Sequence, residues 1–261
     1  MAPEGQYVER GIAGAHGFMT EFFTSPADAL VEVPAALAEW GFLVEPISVS
    51  EKALELAAAS RSSFTWDPES ALVLGNGSLG LLTLAMLAPE YDRTYCLGRR
   101  DRDHRSVDII ERLGATYVDS RETPVPDIPI AHEPMDLVYE ATGHPPHAFE
   151  TVETLASNGV GALLGVPGSD TFEIDGGDLH RELVMENKAL VGSVNANRDH
   201  FAAAVDRLVG LPDWLPEALV SGVYRLDSFE GPLRDDAPPI PTAVHLAPPP
   251  SAPAPHSAPA E

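Results

Sequence analysis

Three glycines at a fixed spacing are the first residues in this sequence whose types could do chemistry. Gly75, Gly77 and Gly80 stand in GNGSLG, directly after the apolar run ALVL. A G-x-G-x-x-G pattern between a buried strand and a helix is typical of dinucleotide binding: the glycines allow a tight turn, close backbone approach to a pyrophosphate and close helix packing. The amides of Ser78 and Leu79 would then face the anion. A plain strand-turn-helix is the alternative. The predicted cofactor residues here are Gly75, Asn76, Gly77, Ser78, Leu79 and Gly80.

Two adjacent arginines follow the next apolar run, in TYCLGRRDR. An NAD-binding strand usually ends in an acid that accepts hydrogen bonds from the ribose, but here Gly98 is followed by Arg99 and Arg100. The glycine leaves room for a 2′-phosphate, and two guanidinium groups can bind it with forked, charge-assisted hydrogen bonds. The pair therefore predicts NADP, with NAD still possible. The alternative is that both arginines pair with Asp101 and Asp103 on a solvated loop.

Later strand ends should face the same cofactor, because ligands of such sheets bind at the carboxyl edge of the strands. Each of these segments could also be an ordinary strand-to-helix loop. The residues predicted to contact the nicotinamide half of the cofactor are Thr142, Leu164, Gly165, Val166, Ser193, Val194 and Asn195.

Short apolar runs alternate with segments of helical period between residues 67 and 210. Buried strands that alternate with helices predict an α/β fold with a doubly wound parallel sheet of the Rossmann type. Ser50 is the expected cap of the first helix, and residues 1–44 look like irregular strands and turns of another domain. Strands are predicted at 71–76, 94–97, 116–118, 135–143, 159–168 and 189–196, and helices at 50–61, 107–114, 147–157, 178–188 and 198–210.

The composition is strongly acidic. Asp and Glu number 40 against 16 Lys and Arg, the net charge is −24, and Lys52 and Lys188 are the only lysines. Such a charge repels nucleic acid, and an acidic, lysine-poor surface fits a protein that stays hydrated in concentrated salt. Docking of a basic partner is the alternative.

Other features predict a cytoplasmic protein without a membrane segment. The single cysteine, Cys96, cannot form an internal disulfide and is expected to be an inert core residue. The first ten residues lack the pattern of a secretory signal, and no apolar run reaches the roughly twenty residues of a membrane span. Residues 247–261, rich in proline and alanine, are expected to be disordered.

Several segments together resemble the haloarchaeal glucose 1-dehydrogenases of the zinc-dependent medium-chain dehydrogenase superfamily. These segments are YVERGIAGAHGFMTEFF, GFLVEPISVSEKA, GNGSLG, CLGRRDR, YEATG, LLGVPG and GSVNAN, and the resemblance covers residues 7–246. It implies NADP-dependent oxidation of the C1 hydroxyl of D-glucose to gluconolactone, with a catalytic zinc that lowers the pKa of that hydroxyl. By the same resemblance Glu9 and Asn195 contact the sugar, and Glu45 lies near both sugar and zinc.

The resemblance also implies a domain organisation and a departure from the family. Residues 1–48 would be a remnant of a β-rich, barrel-like catalytic domain, 49–209 the NADP-binding domain, 210–246 a return to the catalytic domain, and 247–261 the tail. A homo-oligomer, dimer or tetramer, is expected. A catalytic zinc takes about three protein ligands, and Glu45 alone is not a zinc site. The chain is therefore expected to be an incomplete dehydrogenase, inactive alone. The alternatives are a non-catalytic NADP-binding module and a zinc-independent quinone reductase.

Overall fold

The structure, a computed structural model, describes residues 7–20, 22–228, 230 and 242–245. The tail at 247–261, for which disorder is expected, lies outside the described residues. The chain divides into two compact units, Leu30–Leu219 and Met1–Ala29 with Val220–Glu261. Residues 30–48 thus group with the sheet, and the assignment of catalytic and cofactor domains stays a prediction. In the described ranges, no helix has the length and apolar character needed to cross a membrane.

The smaller unit contains short strands. β1 (Glu9–Arg10) pairs with β2 (Gly14–Ala15), and β9 (Gly222–Arg225) pairs in parallel with β10 (Thr242–His245). The segments GFMTEFF and ALVEVP lie in the part expected to hold irregular strands and turns, and their described residues are coil and 3-10 turn without a strand.

The larger unit is built on six parallel strands. Their order is β5-β4-β3-β6-β7-β8, in which the chain starts at the centre, winds to one edge and returns to build the other. This order places a switch point between β3 and β6, and the predicted Rossmann-type sheet is confirmed. The strands are β3 (Ser70–Leu74), β4 (Arg93–Gly98), β5 (Thr116–Asp119), β6 (Met135–Glu140), β7 (Leu155–Leu163) and β8 (Ala189–Gly192). The helices are α1 (Val44–Ala59), α2 (Ser78–Leu87), α3 (Arg105–Arg112), α4 (Ile128–Ala131), α5 (His147–Thr154), α6 (Gly176–Met185), α7 (Arg198–Gly210) and α8 (Leu215–Leu219).

Both faces of the sheet are buried, which explains why β3 is apolar without alternation. Ala71 and Val73 pack into one core cluster with residues of α1, α2, α3, α7 and α8. Leu72 and Leu74 point to the opposite face, where they pack against Val125 and the start of α4. Because successive side chains of a strand point to opposite faces, strands β3 to β7 each contribute to both clusters, whereas β8 contributes only the partly buried Val191 to the first.

Helix α1 begins six residues earlier than predicted. Val44 and Ile47 are buried, and Pro46 is tolerated in the first turn because its missing N–H would have no helical partner there. The expected cap, Ser50, lies inside the helix, where its hydroxyl meets the hydroxyls of Thr83 at 2.8 Å and Tyr139 at 2.9 Å. The prediction of a cap at Ser50 is therefore wrong. The segment FLVE, at 42–45 in the part expected to hold irregular strands and turns, ends a 3-10 turn with Phe42 and Leu43 and begins α1 with Val44.

The junction of α5 and β7 also differs from the prediction. The helix ends at Thr154 rather than at residue 157, because Leu155 is extended and packs beside Met135 in the second core cluster. Residues 155–158 thus belong to β7, which ends at Leu163, and residues 164–168 form a loop. Likewise, β8 ends at Gly192, so that residues 193–196 are a loop at the carboxyl edge.

Candidate functional site

The turn between β3 and α2 requires two of its glycines for geometric reasons. Gly75 has φ +109°, in the region that L side chains rarely adopt. A Cβ added at Gly80 would lie 1.8 Å from the carbonyl oxygen of Gly75, so the helix packs directly on the turn. At Gly77, an added Cβ would meet no described heavy atom within 4 Å. The turn is thus tight at its base and open at Gly77.

The open position lies at the N-terminus of α2. Gly77 is the N-cap, and its carbonyl accepts the Leu81 N–H at 2.9 Å. The first turn of an α-helix directs N–H groups and the positive end of its dipole outward. Leu79 packs its side chain against the core, so this residue can offer only its backbone to an anion.

A glycine is needed at position 98, at the end of β4, because a neighbouring side chain fills the space where a Cβ would lie. A Cβ there would lie 2.4 Å from the Cγ of Asn76. The Asn76 amide occupies that space and donates to the Ser106 hydroxyl at 3.0 Å. Gly98 thus makes room for Asn76, and it also lines a cleft at this edge of the sheet. The expectation that this glycine leaves room for a phosphate stays a prediction.

Arg99 and Arg100 are exposed, and neither makes an ion pair with another described residue. The alternative that these arginines pair with the acids that follow them is wrong for Asp101. Its carboxylate instead accepts from Arg121 Nη1 at 2.7 Å. Both guanidinium groups are therefore available to an anion.

A cleft of about 610 Å³ joins these features at the carboxyl edge of β3, β4 and β6. This is the crevice in which such sheets bind ligands. The predicted residues that line it are Gly75, Asn76, Gly77, Arg99, Arg100 and Thr142. Further lining residues that the sequence analysis missed are Ser120, Arg121, His144, His147 and Glu150. The other predicted cofactor residues lie outside this lining and are described below.

A buried carboxylate organises the loop after β6. Glu140 is 2% exposed, and its Oε1 accepts from the backbone N–H of Thr142 at 2.7 Å, from the Thr142 hydroxyl and from the Gly143 N–H at 2.9 Å. The Thr142 hydroxyl also meets His147 Nδ1 at 3.0 Å. Burial and the neighbouring His144 lower the pKa of His147, which favours the neutral ring beside the cleft.

The carboxyl end of β6 also positions the loop that follows β7. The backbone N–H groups of Leu164 and Gly165 donate to the Glu140 carbonyl at 2.9 and 3.1 Å. A Cβ on Gly165 would lie 2.1 Å from the Gly143 nitrogen, so the two loops touch. Leu164 is buried in the core and Val166 is 85% exposed. Thus Leu164 and Gly165 can offer only backbone at this edge.

Residues 193–195 form the corresponding loop after β8. Ser193 N–H donates to the Leu163 carbonyl at 3.0 Å, and Lys52 Nζ of α1 donates to the Val194 carbonyl at 2.6 Å. Asn195 has φ +60°. The Ser193 hydroxyl is buried with no hydrogen-bond partner among the described residues. One edge of the sheet therefore carries the open position at Gly77, the two arginines without a described ion pair and the Ser193 hydroxyl without a described partner. This arrangement fits an extended dinucleotide.

The residues expected to contact sugar and zinc do not form a metal site. Glu45 is an exposed residue in the first turn of α1, although partial burial of its carboxyl raises the pKa, and Glu9 lies in β1 of the smaller unit. No group of three or more His, Cys, Asp or Glu among the described residues could hold a metal ion. Cys96 is fully buried, and burial raises the pKa of its thiol. The described residues therefore do not fit a zinc centre.

Comparisons with known proteins agree with one another. Residues 38–246 match the family described as "Glucose dehydrogenase C-terminus". Glucose 1-dehydrogenase 1 of Haloterrigena turkmenica is 67% identical over 237 residues, which are 90% of this chain and 65% of that protein. Glucose 1-dehydrogenase of Halobacterium salinarum is 64% identical over 94% of this chain and 70% of its own length.

The solved structures include a similar protein with ligands bound. Glucose dehydrogenase of Haloferax mediterranei, in complex with NADP, Zn and gluconolactone, is 60% identical and superposes with a TM-score of 0.91 over 95% of this chain and 70% of that one. The chain spans about two thirds of the length of the curated relatives it matches.

Proposed function

The chain belongs to the glucose dehydrogenase family, and from that premise we propose that it is the NADP-binding part of an enzyme that oxidises D-glucose at C1 to gluconolactone. The observation that carries the cofactor assignment is the unpaired Arg99–Arg100 pair at the end of β4. An NAD-specific site would have an acid at this point to accept the ribose hydroxyls, and the nearest acid, Asp101, is bound to Arg121.

Each part of the cleft has a role in holding the cofactor. The N-terminus of α2, with Gly77 at its cap, binds the pyrophosphate. Arg99 and Arg100 bind the 2′-phosphate by charge-assisted hydrogen bonds. Thr142 and the loop 193–195 lie further along the same edge, toward the nicotinamide half. NADP, when bound, supplies the acceptor for the hydride that leaves C1 of the sugar.

The sugar half of the proposal rests on the family. Asn195, Glu9 and Glu45 are the proposed sugar contacts, and Glu45 the proposed zinc ligand. A catalytic zinc needs about three protein ligands and the described residues provide no such group, so we assign no chemical step to a metal here. We expect this chain to bind NADP but not to oxidise glucose without the third of its relatives' length that it does not span.

The remaining proposals concern assembly and location. β8 is an edge strand, and no described strand pairs with its outer side, which makes the sheet edge a candidate for contact between two copies in a dimer or tetramer. A cytoplasmic location is consistent with the single buried Cys96. Light scattering of the purified chain in molar salt measures the oligomeric state directly, and a monomer at all concentrations would refute the assembly proposal.

The cofactor proposal is tested by titrating the chain with NADPH and NADH and following nucleotide fluorescence. We expect NADPH to bind at least roughly tenfold more tightly, because a charge-assisted hydrogen bond contributes about 1.5–3 kcal/mol. Equal affinities, or tighter NADH, would refute it.

The activity proposal is tested with a chimera that carries the uncovered third of the Haloterrigena relative. The chimera should reduce NADP with glucose, and the unextended chain should not. A chimera that binds NADPH without turnover would favour a non-catalytic module, and metal-independent reduction of a quinone would favour a reductase.

A further inference from the structure

Arg121 binds the acid that lies closest in sequence to the arginine pair. Its Nη1 donates to Asp101 Oδ1 at 2.7 Å, while Nε and Nη2 donate to Asp119 at 2.9 and 2.6 Å. Asp119 is buried at the end of β5, and this contact lowers its pKa to about 2. Because Arg121 lies between two carboxylates, its charge is already neutralised, and the Asp101 carboxylate is paired with Arg121 rather than with Arg100.

Arg121 also contacts the backbone of the arginine pair. The Arg100 carbonyl accepts from the Tyr117 hydroxyl at 2.6 Å and from Arg121 Nη2 at 3.4 Å. The Ser120 N–H donates to the Gly98 carbonyl at 2.9 Å, which continues the pairing of β5 with β4 past the strand ends. The end of β5 therefore fixes the backbone that carries both phosphate-binding side chains.

We propose that Arg121 is a positioning residue that sets the preference of this site for a 2′-phosphorylated dinucleotide. It does so by sequestering Asp101 and by holding the Arg100 carbonyl. The inference rests on the proposed NADP binding at this cleft. Once released, the Asp101 carboxylate would compete with the phosphate for a guanidinium fork, and it would repel the two negative charges of the phosphate at close range. NADH carries no 2′-phosphate, so its affinity should not depend on Asp101.

High salt does not remove this effect, because it acts at contact distance. At 1 M ionic strength the Debye length is about 3 Å, so charges further apart are largely screened, while directly hydrogen-bonded pairs are weakened less. The experiment is therefore done in molar salt, where the general negative charge of the chain contributes little to nucleotide binding.

The test compares wild type, Arg121→Gln, Asp101→Asn and the double variant by fluorescence titration with NADPH and with NADH. In Arg121→Gln we expect the NADPH affinity to fall roughly tenfold and the NADH affinity to stay within about twofold. In the double variant, most of the NADPH affinity should return, because the released competitor is gone. Asp101→Asn alone should bind NADPH at least as tightly as wild type.

Three results would overturn the inference. These are an equal loss for both nucleotides in Arg121→Gln, no recovery in the double variant, and a tenfold loss in Asp101→Asn alone. Asp101 is exposed, so the last variant is informative even if Arg121→Gln fails to fold. A wild-type chain that does not prefer NADPH refutes the proposed cofactor instead, which separates the two failures.

Discussion

Replacing Gly80 with alanine tests the packing of α2 on the glycine turn. The new Cβ would lie 1.8 Å from the Gly75 carbonyl oxygen and 2.9 Å from its carbon, where ordinary contact begins at 3.4 Å. Backbone must therefore move by more than an ångström. Overpacking of this kind costs about 1–3 kcal/mol, and we expect the upper end, about 3 kcal/mol, because the obstacle is backbone rather than a flexible side chain.

Gly77→Ala is the matched control, since it adds the same methyl group three residues earlier. No described heavy atom lies within 4 Å of that position, and the φ of −81° suits alanine. The expected loss of stability is ~0.5 kcal/mol, from a poorer helix N-cap. The methyl group would nevertheless block the approach of the pyrophosphate, so NADPH affinity should fall by roughly tenfold or more.

The assay combines urea unfolding followed by circular dichroism with NADPH titration of each folded variant in the same molar salt. Gly80→Ala should lower the free energy of unfolding by about 3 kcal/mol, whereas Gly77→Ala should lower it by only ~0.5 kcal/mol and act mainly on the NADPH affinity. The packing argument fails if Gly80→Ala is as stable as wild type. The assignment of the pyrophosphate to this turn fails if Gly77→Ala binds NADPH unchanged.

Three further predictions concern buried groups around the site. Glu140→Ala leaves the Thr142 and Gly143 amides without their acceptor and should lower the free energy of unfolding in urea by about 2–3 kcal/mol. Glu140→Gln keeps an oxygen at the Oε1 position and should lower it much less. Equal losses in the two variants would contradict the role of Glu140 in anchoring the loop. The Arg121 contact lowers the pKa of Asp119 to about 2, so the stabilisation that the Asp119 carboxylate gives the fold is complete above pH about 4 and is lost as pH falls through about 2. Asp119→Asn should therefore be less stable than wild type at pH 5 and equal to it near pH 2. A difference in unfolding free energy that does not change with pH would refute this prediction. Because Cys96 is buried and its thiol pKa raised, iodoacetamide at pH 8 should label it only after unfolding, and rapid labelling of the native chain would contradict the assigned packing.

The central strands could be predicted because burial on both faces leaves a plain signal in the sequence. ALVL is apolar at every position and TYCL at its last three, as expected of strands covered by helices. The start of helix α1 was harder to predict, because its first turn contains Pro46 and follows a 3-10 turn at Gly41–Leu43. Ser50 has the residue type of a cap but serves as a buried hydrogen-bond partner, which only the packing of α1 on α2 reveals.

The candidate site also contains some residues that the sequence could predict and others that only the fold reveals. Gly75, Gly77 and the arginine pair are local signals, each read from a few consecutive residues. Arg121 and Glu140 act through contacts that the chain topology creates. Gly98 pairs with Asp119 in the parallel register of β4 and β5, so the two loops meet only once the strand order is known. A signal for Glu140 was present in the sequence, because an acid at a strand end followed by Ala-Thr-Gly has amide donors close by.

The preference for NADP depends on Arg99 and Arg100, and replacing both with alanine tests this claim most directly. NADPH and NADH are titrated against the double variant, wild type and Arg102→Ala, which removes an exposed arginine of the same loop outside the cleft lining. We predict that the double variant loses roughly a hundredfold in NADPH affinity, from two charge-assisted contacts. Its NADH affinity, and both affinities of the control, should change by less than about threefold. A loss for NADPH no larger than the loss for NADH would contradict the account.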